Sequence, residues 1–164
     1  MKTKQDIRKY IKTLFWEQNR EKRNIKDIII EEKVLDYIEK QSVQNICIYE
    51  NMDDEVDTKV LITKLEEIGK NIYTPQVISE TEMILIDKEY EIYEKEIDIF
   101  IMPGRAFTKE GERLGRGKWY YDRFLEKKLY KGAKTLGICY DFQILENIPT
   151  NNHDIKMNFI ISNP

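Results

Sequence analysis

Histidine is almost missing from this chain: His153 is the only one among 164 residues. Any metal clasp or acid–base pair that needs two imidazoles is therefore excluded. Cysteine is nearly as scarce. Cys47 and Cys139 lie far apart, each inside a strand-like apolar run, which predicts two reduced, buried thiols and neither a disulfide nor a metal site. No uninterrupted apolar stretch reaches membrane-spanning length, and the N-terminus lacks an apolar signal core, so the expectation is a cytoplasmic protein without membrane association. Repeats, low-complexity tracts and linkers are missing too. With 35% charged residues and a length that suits one hydrophobic core, residues 1–164 are expected to form a single domain.

What is present is unevenly distributed charge. From Met1 to Arg23 there are eight Lys/Arg against three Asp/Glu, and from Gly104 to Lys134 ten against four, while the whole chain carries −3. Two basic segments in an otherwise acidic protein point to a local polyanion site and away from a surface for nucleic acid, which the acidic remainder repels. Most lysines of the first segment belong to a solvated helix face. Lys4 and Arg8, four apart, share one face and reach the same anion.

The periodicity alternates between α and β. Lys4 to Trp16 carries a helical stripe through Ile7, Tyr10, Ile11, Leu14 and Phe15, and Ile28 to Ile38 continues as a second helix. Asn45 to Tyr49 reads as a strand, Thr58 to Ile68 as a helix stopped by Gly69, and Asn71 to Pro75 as a parallel strand, a βαβ unit. Further strands are expected at Met83 to Ile86, Ile97 to Met102, Thr135 to Cys139 and Met157 to Ile161, with a short helix near Gln143 to Glu146. This is an α/β fold: one three-layer domain with a mostly parallel central sheet and a ligand cleft at the strand C-termini.

The most informative stretch is Met102 to Leu125. An apolar run ends at Pro103-Gly104; a loop then sets Gly111, Gly115 and Gly117 among Arg113, Arg116 and Lys118; and Tyr120, Tyr121, Phe124 and Leu125 give an amphipathic helical spacing. Glycines admit close backbone approach, and N–H groups with the helix dipole favour negative charge, so the layout suits phosphate. Asp122, one turn into the helix, is placed for a phosphate-bound metal. The spacing is neither a Walker A loop nor a dinucleotide fingerprint. Taken alone, the same residues also describe a solvated surface loop with turn-forming glycines.

The order of residue types separates these readings. Pro-Gly-x-x-Phe, then Gly-x-Arg-Leu-Gly-x-Gly, then Tyr-Tyr-Asp-Arg-Phe-Leu resembles the signature of the 5-formyltetrahydrofolate cyclo-ligases, also called methenyltetrahydrofolate synthetases. The resemblance continues in Lys4-Gln-Asp-Ile-Arg8, in Ile46 to Tyr49 followed by Glu55-Val-Asp-Thr58, in Asn71-Ile-Tyr-Thr-Pro75, and in Ile148-Pro149 with His153-Asp154. It implies a sheet related to those of sugar-phosphate isomerases and CoA transferases. It also implies ATP- and Mg²⁺-dependent closure of 5-formyltetrahydrofolate, with or without a polyglutamate tail, to 5,10-methenyltetrahydrofolate, by a monomer or weak homodimer.

Carried over residue by residue, the resemblance implies an ATP site of Lys4, Arg8, Arg113, Leu114, Gly115, Arg116, Gly117, Lys118, Trp119, Tyr120 and Tyr121. Glu50, Glu55, Arg116 and Tyr120 contact the folate, Arg116, Lys118 and Asp122 are catalytic, and Asp122 with Asp154 associates with Mg²⁺. From the residues alone, Tyr121 and Phe124 are assigned to the core, and Tyr49 and Tyr120 either stack on a flat ring or pack. Without the resemblance, Glu55 reads as helix N-terminal electrostatics and Asp154 as a cap.

Three departures stand out. Trp119 replaces the last glycine of the family loop, Glu91 to Ile97 lacks the family's Glu-Pro pair, and Gln76 replaces a basic residue after the strand proline. They leave open a divergent member that binds nucleotide or folate with little turnover, or one that activates a different small substrate.

Overall fold

Thr3 begins the first helix by a reciprocal cap. Its hydroxyl accepts the Asp6 N–H at 3.0 Å, and the Asp6 carboxylate accepts the Thr3 N–H at 3.3 Å. The computed structural model describes residues 3–127 and 130–164. Helix α1 (Lys4–Glu17) buries Ile7, Ile11 and Phe15 almost completely, each contributing about 2–3 kcal/mol by leaving water. Asn19 then caps α2 (Arg20–Glu39), its side-chain oxygen accepting the Lys22 N–H at 2.8 Å. This helix starts well before the expected Ile28, because its first two turns are mostly polar and show no apolar stripe.

The strands are β1 (Asn45–Ile48), β2 (Asn71–Val77), β3 (Met83–Ile86), β4 (Ile92–Tyr93), β5 (Ile99–Met102), β6 (Ala106–Phe107), β7 (Arg113–Leu114), β8 (Lys134–Cys139) and β9 (Phe159–Ser162). Seven of them form one sheet in the order β4-β3-β2-β1-β5-β8-β9. From β2 to β9 the neighbours are parallel, with α3 (Lys59–Glu67) connecting β1 to β2, whereas β3 and β4 add antiparallel. The α/β, mostly parallel expectation therefore holds.

Strand alternation divides the core in two. Ile46, Ile48, Ile99, Ile101, Leu136 and Ile138 meet α1, α2 and α3 on one face. Cys47, Phe100, Met102 and Cys139 point to the other, where Phe124 and Leu125 of α4 (Tyr120–Leu125) and Tyr130 cover them. Residues buried on both faces explain why these strands read as continuous apolar runs. Both cysteines are free and buried, as expected, and burial pushes both thiols up.

Several local expectations are corrected. The helix placed at Gln143 to Glu146 is a single 3-10 turn at Asp141–Gln143, in which the Gln143 side chain turns back to accept the Tyr140 N–H at 2.8 Å. Within the glycine-rich stretch, β6 and β7 form a small antiparallel hairpin that no two-residue pattern betrays. Gly111 belongs to that hairpin's turn: at φ +97° its N–H donates to Thr108, and it sits so close to Met157 that an added Cβ would lie 2.3 Å from the Met157 carbonyl oxygen. The segment Glu91 to Ile97, expected to hold no strand of its own, contains β4, whose Tyr93 stacks on Tyr73 at 3.7 Å. Among the described residues, no helix is long and apolar enough to cross a membrane.

Candidate active site

The sheet order reverses at β1. The chain moves outward from β1 to β2, β3 and β4, then returns to β1's other side with β5. At such a switch point the loops leaving two neighbouring parallel strands diverge and open a crevice at their C-terminal ends. Here those loops are Tyr49 to Thr58 after β1 and Pro103 onward after β5. Between them lies a cavity of about 620 Å³.

Every sequence-predicted site residue lines it. α1 supplies Lys4 and Arg8; the β1 loop supplies Glu50 and Glu55; β7 and the loop beyond it supply Arg113, Leu114, Gly115, Arg116, Gly117, Lys118 and Trp119; α4 supplies Tyr120, Tyr121 and Asp122; and Asp154 closes the set. Tyr121 is half-buried and faces the cavity, so it is less fully core than its spacing implies, whereas Phe124 is buried in the apolar cluster. Tyr49 also borders the cavity but is buried, its hydroxyl donating to the Val56 carbonyl at 3.1 Å, so it packs and braces the β1 loop.

The basic groups are held by named partners. Arg8 Nε donates to the Gly115 carbonyl at 2.9 Å, and Gly117, at φ +95°, leaves room for the Arg8 guanidinium beside it. Lys4 Nζ lies 3.0 Å from Asp154, whose Oδ2 also accepts the Asn151 N–H at 2.9 Å. Arg113 Nε donates to the Pro103 carbonyl at 2.7 Å, and its guanidinium lies over the Tyr121 ring at 5.3 Å. Burial lowers the Arg113 and Arg8 guanidiniums below their usual values, opposed by Asp122 for the first and Asp154 for the second. α4 is only six residues, so attraction for an anion rests on these cations and much less on a helix dipole.

The acidic side is equally organised. Glu55 Oε1 accepts the Met52 N–H at 2.8 Å, and burial raises its carboxyl above the usual value against the pull of that hydrogen bond and of Arg116. Glu50 accepts from Gln76 at 3.1 Å, so the residue that departs from the family pattern ties β2 to the β1 loop. Asp122 Oδ1 accepts the Ile155 N–H at 3.2 Å. Among the described residues, no three His, Cys, Asp or Glu side chains form a preassembled metal cage.

Trp119 takes a left-handed backbone, φ 65° and ψ 17°, just before α4. Its ring is 40% exposed at the cavity rim, with Lys4 Nζ 5.7 Å from its centroid and the His153 ring 6.4 Å away. The ring stands at the α1 end of the cleft, beside Lys4 and the Asp154 loop.

Two participants escaped the sequence reading. Asp54 receives both Arg105 and Arg116, the latter at 2.5 Å, and Arg116 is also 3.9 Å from Glu55. Burial opposes charge on Asp54, but its two arginine partners outweigh that and hold its carboxyl below the usual range. Arg105 occupies a variable position of the Pro-Gly-x-x-Phe signature and Asp54 precedes a more conspicuous glutamate; neither has a spacing that marks it.

Three comparisons bear on this cavity. The sequence profile described as the 5-formyltetrahydrofolate cyclo-ligase family matches residues 1–93 and 85–163. A 5-formyltetrahydrofolate cyclo-ligase of Mycoplasma genitalium is 32% identical over 168 residues, covering 99% of both chains, and one from Haemophilus influenzae is 31% identical over 150 residues, covering 78% of this chain and 80% of that protein. The solved structure of a 5,10-methenyltetrahydrofolate synthetase from Mycoplasma pneumoniae superposes with a TM-score of 0.87 at 30% identity, covering 99% of each chain.

Proposed function

The chain belongs to the 5-formyltetrahydrofolate cyclo-ligase family and is a cyclo-ligase acting on folate; on that premise we propose that its cavity closes 5-formyltetrahydrofolate to 5,10-methenyltetrahydrofolate with ATP and Mg²⁺. The formyl oxygen attacks the γ-phosphorus and ADP leaves. N10 then attacks the activated carbon, loses its proton, and phosphate departs with the former formyl oxygen. Such chemistry asks the protein for positioning and for cations around the transferred group, and little covalent participation.

One observation carries this reading: basic side chains from opposite ends of the sequence converge on one cavity, with Arg8 bonded to Gly115 at 2.9 Å. On this proposal Lys4, Arg8, Arg113, Arg116 and Lys118 surround the phosphates, while Leu114, the glycines, Trp119, Tyr120 and Tyr121 border the nucleotide. Glu50 and Glu55 present acceptors to the pterin's donor groups, with Tyr120 and Arg116 beside them.

Asp122 and Asp154 border the cavity without forming a cage, and would hold a magnesium ion there together with oxygens from outside the protein. A magnesium ion held there would supply charge neutralisation to the phosphates. The protein is proposed to act as a cytoplasmic monomer or weak homodimer.

The test mixes protein, MgATP and 5-formyltetrahydrofolate and follows methenyltetrahydrofolate absorbance. The signal should rise only when all three are present, with one ADP per product. Asp122→Asn should stay folded yet lose turnover by about a hundredfold or more, the scale of a lost charge at a metal-assisted phosphoryl site. A folded protein that consumes no ATP with this substrate refutes the reading.

A further inference from the structure

The cluster Asp54–Arg105–Arg116 joins two loops that face each other across the cleft. Arg105, just after β5, is 7% exposed and structurally fixed: its N–H donates to Leu114, and its carbonyl accepts Gln143 at 3.2 Å. Asp54, on the β1 loop, gives one carboxylate oxygen to Arg105 and the other to Arg116 at 2.5 Å. The backbone behind Asp54 is anchored as well, since Arg23 of α2 donates to the Asp53 carbonyl at 2.6 Å. Arg116 differs from these. It is 38% exposed, it sits between Gly115 and Gly117, and its only hydrogen bond among the described residues goes to Asp54.

We infer that Asp54 is a positioning residue, which uses buried Arg105 as a fixed post to hold Arg116 pointing into the cavity before the anionic cosubstrate arrives. The inference rests on the nucleotide reading above and adds a residue that acts through another. An arginine on a glycine-flanked loop loses rotamer freedom when it grips phosphate; one already held by a carboxylate loses little. Arg116 spends one Nη on Asp54 and keeps its remaining N–H donors for a ligand. The same contact ties the β1 loop bearing Glu55 to the loop bearing Gly115 and Gly117, so both walls of the cleft share one register.

A double-mutant cycle on the full chain, read as MgATP affinity by calorimetry, tests this. Asp54→Ala and Arg116→Ala should each weaken MgATP about tenfold, and the double variant should bind no more weakly than Arg116→Ala alone. Additive losses would show that Asp54 acts through loop integrity, and tighter binding by Asp54→Ala would show that it competes with phosphate; either overturns the inference while leaving the nucleotide reading intact. A wild-type protein that binds no MgATP instead removes the nucleotide reading and this inference with it. If Asp54→Ala leaves Arg105 unpaired and fails to fold, the cycle is run with Asp54→Asn, which keeps an acceptor oxygen but lacks the charge that fixes Arg116, and the same outcomes decide.

Discussion

Trp119 combines two effects that substitution separates. A side chain at φ 65° and ψ 17° is in the left-handed region, which costs an L-residue about 1–2 kcal/mol and glycine almost nothing. Glycine's greater freedom in the unfolded chain returns part of that difference, about 0.4–1 kcal/mol. Trp119→Gly should thus be more stable than Trp119→Ala by about 1 kcal/mol, or about 2–4 °C in Tm for a chain of this size. The contacts of the partly covered ring, which is 40% exposed and lies beside Lys4, are lost in both variants and cancel from this comparison. Trp119→Ala is therefore expected to melt below Trp119→Gly, because only alanine keeps the left-handed strain. Paired thermal and urea melts measure this. An alanine variant as stable as the glycine variant would refute the backbone argument. Binding is the second readout. A ring at the rim stacks on the flat part of a ligand, worth about 1–3 kcal/mol, so Trp119→Gly should weaken ATP or folate by roughly five- to 150-fold. Tryptophan fluorescence titration in a Trp16→Phe background reports on Trp119 alone. Tighter binding and faster turnover in Trp119→Gly would show instead that the indole obstructs the cleft.

Two further substitutions probe the β1 loop and the β6–β7 turn. The Glu55 carboxyl is raised above its usual 4.5, so the stability it contributes is complete below that value and is lost as pH rises through its folded value. Glu55→Gln should consequently melt higher than wild type near pH 7 and show no such gain below about pH 4, while weakening folate; an equal gain at both pH values would point to a cause other than ionisation. Gly111→Ala should cost about 3 kcal/mol, because the new Cβ meets the Met157 carbonyl at 2.3 Å on a backbone at φ +97°. A wild-type melting curve for that variant would mean that the Gly111–Met157 approach is not maintained in solution.

Much of the architecture was legible because its signals are local. Apolar repeats of three and four residues place Ile7, Ile11 and Phe15 on one helix face, and uninterrupted runs such as Ile99 to Met102 mark strands buried on both sides. The helix boundary at Arg20, the hairpin pairing Phe107 with Arg113 and the edge strand at Ile92–Tyr93 were not legible. A polar cap, a two-residue strand and a two-residue edge each carry too few residues to express a period.

The site divides in the same way. By itself, the sequence determined which residue types are gathered near Gly115 and Gly117, and their order was enough to place the chain in its family. Tertiary structure alone decided that β5 returns beside β1 and not beside β4, which sets the β1 loop opposite the arginines. It decided that Arg8 reaches Gly115, 107 positions away, and that Asp54 is shared between Arg105 and Arg116. It also placed Trp119 in the left-handed region. Spacing along a chain encodes contacts within one helix turn or one strand. Pairings across a hundred residues depend on the order in which strands join the sheet, and only the folded sheet expresses that order.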